Sequence, residues 1–343
     1  MKTTKTKDLR SSTMRFLIDN KAMLLALLAL IAASVISPTF FSFQNLRNVI
    51  RQNTTYFVLA FGFTCVLSSG NIDLSVGSML TFLCCVCAKI MMGTDIGIFV
   101  GIMDVRMGLP LGVIIVLILL MGAFCGFMNG LIGKLIKMPM FIVTLATGQL
   151  YKGICYMISK NTPIINIRAG IKFMAQGYVF KEIPVAILIM LFVMLVVFII
   201  LNKTIFGRWA VAMGGNPETA RVSGINTFWV TSGVYALMGV CCAVAALVLT
   251  GRAGSAQPTA GDGMEMDAIA AVVIGGTAMS GGQAKVGGTF FGVMLIGLLT
   301  NVFNLLGMDT NFQYLLKGLL ILLAVTIDSA ASSYFNNQLR KSV

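Results

Sequence analysis

Apolar residues in this chain fall in long unbroken runs, not in the alternation of a strand or the half-polar stripe of a soluble helix. Before a polar stretch near residue 215 the runs are Ala22–Ser37, Thr54–Ser69, Val76–Met92, Leu109–Gly133, Phe141–Ser159 and Ile183–Leu201. After it come Val230–Thr250, Ala268–Met279, Gly287–Leu306 and Phe312–Ile327. The pattern predicts an all-α polytopic membrane protein with about ten transmembrane helices. Several runs are shorter than the roughly 20 residues that span a bilayer, so some are broken, tilted or extended into less apolar flanks. The second and eighth run into glycine-containing stretches, and Asn71 and Asp73 closely follow the second.

Composition sharpens the reading. Of 343 residues, 57% are hydrophobic and 11% charged, against roughly 25% charged in a soluble domain. A soluble enzyme, a nucleic-acid module and a disordered regulator are excluded, because no polar shell is present. The chain divides into a basic cytoplasmic segment over 1–21, one transmembrane domain over 22–328, and a cytoplasmic tail over 329–343. The net charge of +13 carries no dense basic cluster with interleaved aromatics, so it reads as loops facing anionic lipid and not as nucleic-acid binding. The absence of histidine removes Ser-His-Asp triads and most zinc or haem sites. All eight cysteines lie in apolar runs, and Cys84-x-x-Cys87 has no second pair. They read as buried small hydrophobes, with no metal site.

With ten crossings and the N-terminus inside, fourteen of the 25 basic residues fall on inner segments and ten on outer ones, with Lys317 inside the last run. The bias favours N-in, C-in, carried mostly by the six positive residues of the first 21. Trp209 and Trp229 flank the longest inner loop, 202–228, where amphipathic rings suit the headgroup layer. Glycine pairs such as Gly122 with Gly126 let helix backbones approach closely in lipid.

The inner loop contains GGNPETARVSGIN, Gly214–Asn226. Asn216 is a good helix cap, Pro217 a first-position proline, Glu218 a first-turn acid, and Gly224 a natural stop. The result is a short polar helix between glycine breaks, suited to docking a cytoplasmic partner. A second stretch, Ser255–Gly288, brings Asp262, Glu265 and Asp267 to the outer end of the eighth run and a double-glycine break to its inner end. Its MSGGQ, Met279–Gln283, nearly matches the signature of ATP-binding cassettes. The chain has no G-x-x-x-x-G-K-[ST] phosphate loop, so that match is rejected and no ATPase activity is expected here.

Three blocks carry a family resemblance: GNIDLSVGSML at Gly70–Leu80, GGNPETARVSGIN, and DAIAAVVIGGTAMSGGQAKVGGTFFG at Asp267–Gly292. With the closing NLLGMDTNFQYLLKGLLILLAV, Asn304–Val325, the chain resembles the permease subunits of bacterial ribose, xylose and galactoside importers of the ATP-binding cassette class. It departs from their pattern at Met264, Met266 and Val302–Phe303, which leaves the sugar open. The resemblance implies a non-catalytic inner-membrane subunit, paired as a homodimer or heterodimer. It also implies a separate ATPase subunit that holds ATP and Mg, a periplasmic sugar-binding protein, and no cofactor on this chain. By similarity, Gly214, Gly215, Asn216, Pro217, Glu218, Ala220, Arg221, Ser223 and Gly224 form the coupling element that fits the ATPase.

A neutral, hydroxyl-rich cargo needs amides and hydroxyls along its path, which makes Asn71, Asp73, Ser75, Asn129, Thr144, Gln149 and Asn301 translocation candidates; for each one alone a helix-packing hydrogen bond is the competing and stronger reading, and Asp73 is expected to anchor a helix start. Arg252, Asp262, Glu265 and Asp267 are candidates for docking the binding protein, since complementary charge sets orientation; the equal alternative is that they only cap helices or pair with each other. The competing class, an ion-coupled secondary transporter, needs intramembrane carboxylates or histidines, and these are scarce here. The topology makes a direct prediction: in a cysteine-free background, an impermeant thiol reagent added outside should label Gln257→Cys and not Thr219→Cys. Labelling of both from one face would overturn it.

Overall fold

The computed structural model describes residues 21–36, 40, 42–92, 109–309, 311–319, 322 and 326. The basic N-terminal segment before Lys21, Pro38, most of the tenth apolar run beyond residue 319 and the tail 329–343 lie outside them. The described chain is helical apart from one small hairpin. In order come α1 (Lys21–Ile36), α2 (Phe43–Ser68), α3 (Val76–Met92), α4 (Leu111–Leu135), α5 (Met140–Ser159) and α6 (Ala169–Gln176). The two-residue strands β1 (Tyr178–Val179) and β2 (Ile183–Pro184) pair antiparallel. Then follow α7 (Val185–Lys203), α8 (Ile205–Gly215), α9 (Pro217–Val222), α10 (Thr227–Ala253), α11 (Met264–Ile274) and α12 (Val286–Leu305), with α13 over residues 311–319.

Five of these helices, α4, α5, α7, α10 and α12, are long and apolar enough to cross a membrane. Their surroundings differ. In α10, 72% of the apolar window is buried, against 28% in α4 and in α7. α10 is therefore central, while α4 and α7 turn Leu120, Phe124, Phe192 and Leu195 outward. An apolar rim of this kind suits lipid and no other solvent. α2 is central too, with every residue from Phe57 to Ser69 buried. All eight cysteines are buried and free.

Besides α6 and the β1–β2 hairpin, which the apolar runs do not predict, three elements depart from the hydropathy reading, each for a local reason. α2 starts at Phe43 instead of Thr54, because Ser42 Oγ accepts from Asn45 N at 3.1 Å. Its polar first turns are then used by the hairpin: Arg51 Nη1 donates to the Tyr178 hydroxyl at 3.0 Å and Arg47 Nη1 to the Glu182 carbonyl at 3.1 Å. α11 stops at Ile274 instead of Met279, at Gly275 and Gly276, the latter with φ +87°. At about 1.5 Å per residue it is about 16 Å long, half a crossing. The inner loop holds two helices where one was expected. α8 is amphipathic, with Gly207, Ala210, Met213 and Gly214 buried, so its apolar stripe was hidden in a stretch of low overall hydropathy.

The tightest seam joins α4 to α10. A methyl group at Gly122 would stand 2.3 Å from the Gly239 carbonyl oxygen, one at Gly126 2.0 Å from the Tyr235 carbonyl oxygen, and one at Gly130 2.6 Å from the Ser232 Cα. The spacing of four presents all three on one helix face. Two ends of the bundle can be told apart: a hairpin end, with Arg47, Arg51 and Gln176, and a glycine end, with Ser68, Gly214 and Trp229. Gly126→Leu should cost about 2 kcal/mol or more through overpacking, seen as a lower thermal-unfolding midpoint in detergent. Gly112→Leu, with nothing within 4 Å of its Cβ position, should leave the midpoint in place. Equal midpoints for the two variants would refute the seam.

Candidate coupling and translocation sites

The three sequence blocks that carry the family resemblance meet at the glycine end. A Cβ on Gly281 (φ +83°) would lie 2.8 Å from both Gly70 Cα and Gly214 Cα, and one on Gly214 would lie 2.0 Å from the Ser68 carbonyl oxygen. Gly282 N donates to that same carbonyl at 3.0 Å. Gly70 itself has φ +73°. The contacts are backbone on backbone, so only glycine fits at Gly214 and Gly281. The junction gathers the ends of α2 and α8 and the loop between α11 and α12 into one point.

α9 leaves this junction directly. Asn216 Oδ1 accepts from Thr219 N at 2.9 Å, and Pro217 occupies the first turn. Of the coupling candidates, Gly214 is buried at the junction and Ala220 is buried beneath α9. Gly215, Asn216, Pro217, Glu218, Arg221, Ser223 and Gly224 are exposed, as is Val222 at 81%. Gly224 holds φ +83° with nothing within 4 Å of its Cβ position. The helix therefore projects from the bundle with one residue turned inward, a shape suited to insertion in a partner. Beside α8 lies a cavity of about 700 Å³ whose lining includes Asn202, Arg208, Gln283 and Lys285.

Three translocation candidates, Asp73, Ser75 and Asn129, form a buried network at the unwound segment between α2 and α3, and a fourth, Thr144, holds the backbone of that segment. Asp73 Oδ1 accepts from Ser75 N at 2.9 Å and from Ser75 Oγ at 2.6 Å. Asn129 Nδ2 donates to Ser75 Oγ at 2.8 Å, and the Tyr151 hydroxyl donates to Asn129 Oδ1 at 3.1 Å. Leu74 N donates to Thr144 Oγ1 at 3.0 Å. Asp73, Ser75, Asn129 and Thr144 are fully buried, so in this conformation they tie α3, α4 and α5 together and do not face a path. The remaining three lie elsewhere. Asn71 Nδ2 bonds locally to Ser69, Asn301 and Asn45 exchange amide hydrogen bonds between α12 and α2, and Gln149 is exposed on α5.

Three of the four docking candidates have partners of their own, whereas the buried Oε2 of Glu265 has no hydrogen-bond partner. Arg252 Nη1 donates to the Gln52 carbonyl. Asp262 pairs with Lys152 of α5 at 3.0 Å, and Asp267 with Lys317 of α13 at 3.6 Å. The Glu265 carboxylate packs on Gly77 of α3. Sequence reasoning did not single out Lys152, Tyr151, Gly70, Gly281 or Gly282. The positive-φ glycines had a signal in their pairing with polar neighbours, and Lys152, counted with the outer segments in the charge tally, lies within α5.

Residues 45–325 match the family described as branched-chain amino acid transport system, permease component. The chain is 38% identical over 322 residues to the ribose import permease protein RbsC of Haemophilus influenzae, covering 92% of this chain and 94% of that one. It is 36% identical to RbsC of Escherichia coli K12, over 93% and 96% of the two chains. With the xylose transport system permease protein XylH of the same organism it shares 30%, over 90% and 93%. No solved structure matches it. With most of its length matched on both counts, the chain belongs to this family of multi-pass membrane permeases, alongside the ribose and xylose import permeases.

Proposed function

We propose that this chain is the membrane subunit of an ATP-driven importer and passes a neutral monosaccharide, a pentose such as ribose or a hexose, across the bacterial inner membrane by alternating access. The observation that carries the reading is the junction of Gly70, Gly214 and Gly281, with the exposed helix α9 attached to it. A push on α9 from an ATPase that binds it is delivered through touching backbones to the unwound segment 69–75 and to the turn between α11 and α12. No flexible side chain intervenes to absorb the displacement. The identity to ribose and xylose permeases supports a sugar as cargo, with RbsC favouring ribose.

In this reading α9 enters a cleft of a cytoplasmic ATPase that holds ATP and Mg, and a periplasmic sugar-binding protein delivers cargo to the hairpin end. A second permease, identical or related, completes the path. We take both termini as cytoplasmic, in keeping with the charge bias, and α9 then lies on the ATPase side. This chain supplies no catalytic group. The import-permease relatives give no support to the ion-coupled alternative.

Two variants separate docking from transmission. Val222→Asp should reduce co-purification of the ATPase and sugar uptake on the order of tenfold, as loss of an exposed interface anchor does. Gly214→Ala, whose methyl would meet the Ser68 carbonyl oxygen at 2.0 Å, should retain the ATPase but lose uptake. Full uptake by both variants in proteoliposomes would overturn the coupling assignment.

A further inference from the structure

An ion pair stands where a lipid-facing surface cannot have one. Lys152 lies about 10 Å inside the Ser159 end of α5, at the helical rise of about 1.5 Å per residue, and α5 is one of the membrane-crossing helices. Its ammonium is 3.0 Å from Asp262 Oδ1, yet the two side chains are 31% and 44% exposed. Asp262 is held at this depth by its neighbour, since Gly261 N donates to Thr81 Oγ1 of α3 at 3.0 Å. A pair this open within the crossing length faces water or another polar surface, because acyl chains would impose a large desolvation penalty.

The surroundings are open and small. Gly153 and Gly263 have nothing within 4 Å of their Cβ positions. Gln149, one turn from Lys152 on α5, is exposed. The short helix α11 begins at this point, and such half-helix ends inside a membrane are where solute sites of transporters form.

We propose that Lys152, Asp262 and Gln149 recognise the hydroxyl groups of a neutral monosaccharide in the hairpin-end half of the translocation path. This rests on the sugar-permease reading above and moves Asp262 from the docking surface into the path. The chemistry is matched: the carboxylate accepts from hydroxyls, the ammonium donates to their oxygens, and the amide does both. Because the pair carries no net charge, it favours a neutral solute over an anion or a cation. The existing Lys152–Asp262 contact competes with the sugar, which keeps binding weak enough for release.

The test uses the complete transporter, with its ATPase and binding protein, in proteoliposomes. The binding protein is saturated with D-ribose or, separately, with each of its monodeoxy analogues. Asp262→Asn should lower the preference for ribose over at least one analogue by about tenfold, the loss expected of one charge-assisted hydrogen bond. The ratio is internal to each preparation, so expression and docking cancel. Independently, Gln149→Cys in a cysteine-free background should react with a water-soluble methanethiosulfonate, and ribose should slow the reaction. Unchanged ratios for every analogue overturn the site. So does an unreactive Gln149→Cys, which would mean that lipid or a second copy seals this face. Failure of the unmodified transporter to take up any monosaccharide overturns the sugar-permease reading itself.

Discussion

In hydrocarbon, each backbone N–H and C=O has to find its partner within the protein, and the arrangement of this fold follows from how it interrupts helices under that constraint. Between α2 and α3 the polar groups are taken up one after another. Gly70 N reaches the Leu67 carbonyl, Asn71 N reaches that of Val66, Leu74 N reaches Thr144 and Ser75 N reaches Asp73, while the Tyr235 hydroxyl donates to the Ile72 carbonyl at 2.8 Å. The breaks on either side of α11 are treated in the same way. Gly261 N is met by Thr81, Gly282 N by the Ser68 carbonyl and Lys285 N by Thr277. Hydroxyls and tyrosines from neighbouring helices replace the missing helical partners, so polar side chains concentrate beside the breaks.

That satisfaction needs close approach, and close approach needs glycine. The α4–α10 seam and the Gly70–Gly214–Gly281 junction use the same device for different ends. In the seam, glycines at a spacing of four bring two long helices together along a face, which fixes their relation. At the junction they bring three chain breaks to one point. Packed interiors pass on displacement because they have little room to compress. A contact made of backbone alone is the extreme case.

Charge is distributed by the same logic. The rim of α4 and α7 is apolar, whereas Lys152, Lys317, Asp262, Glu265 and Asp267 gather around the first turn of α11. Acidic groups there are favoured by the helix dipole, and the two lysines bind them from α5 and α13. The short helix is thus held at one end by ion pairs and at the other by glycines.

Much of this was legible in sequence because hydropathy over long windows responds to the solvent, and a lipid-facing helix has to be apolar whatever its neighbours. The positions of α3, α4, α5, α7, α10 and α12, and the cap and stop of α9, follow from local rules that residues Asn216, Pro217 and Gly224 obey within a few positions. α2 and α8 escaped in part, since their partly polar stretches are chosen by tertiary partners: Arg47 and Arg51 by the hairpin, and Gly214 by Ser68. For the same reason, sequence identified Asn129 and Thr144 as polar residues in apolar surroundings but could not tell a buried brace from a path lining, whereas for Asp73 it named a helix-start anchor, and Asp73 Oδ1 accepts from Ser75 N just before α3. It could not pair Lys152 with Asp262, 110 residues apart, because which side chains meet is decided by how helices cross, and no periodicity along one helix records the face of another.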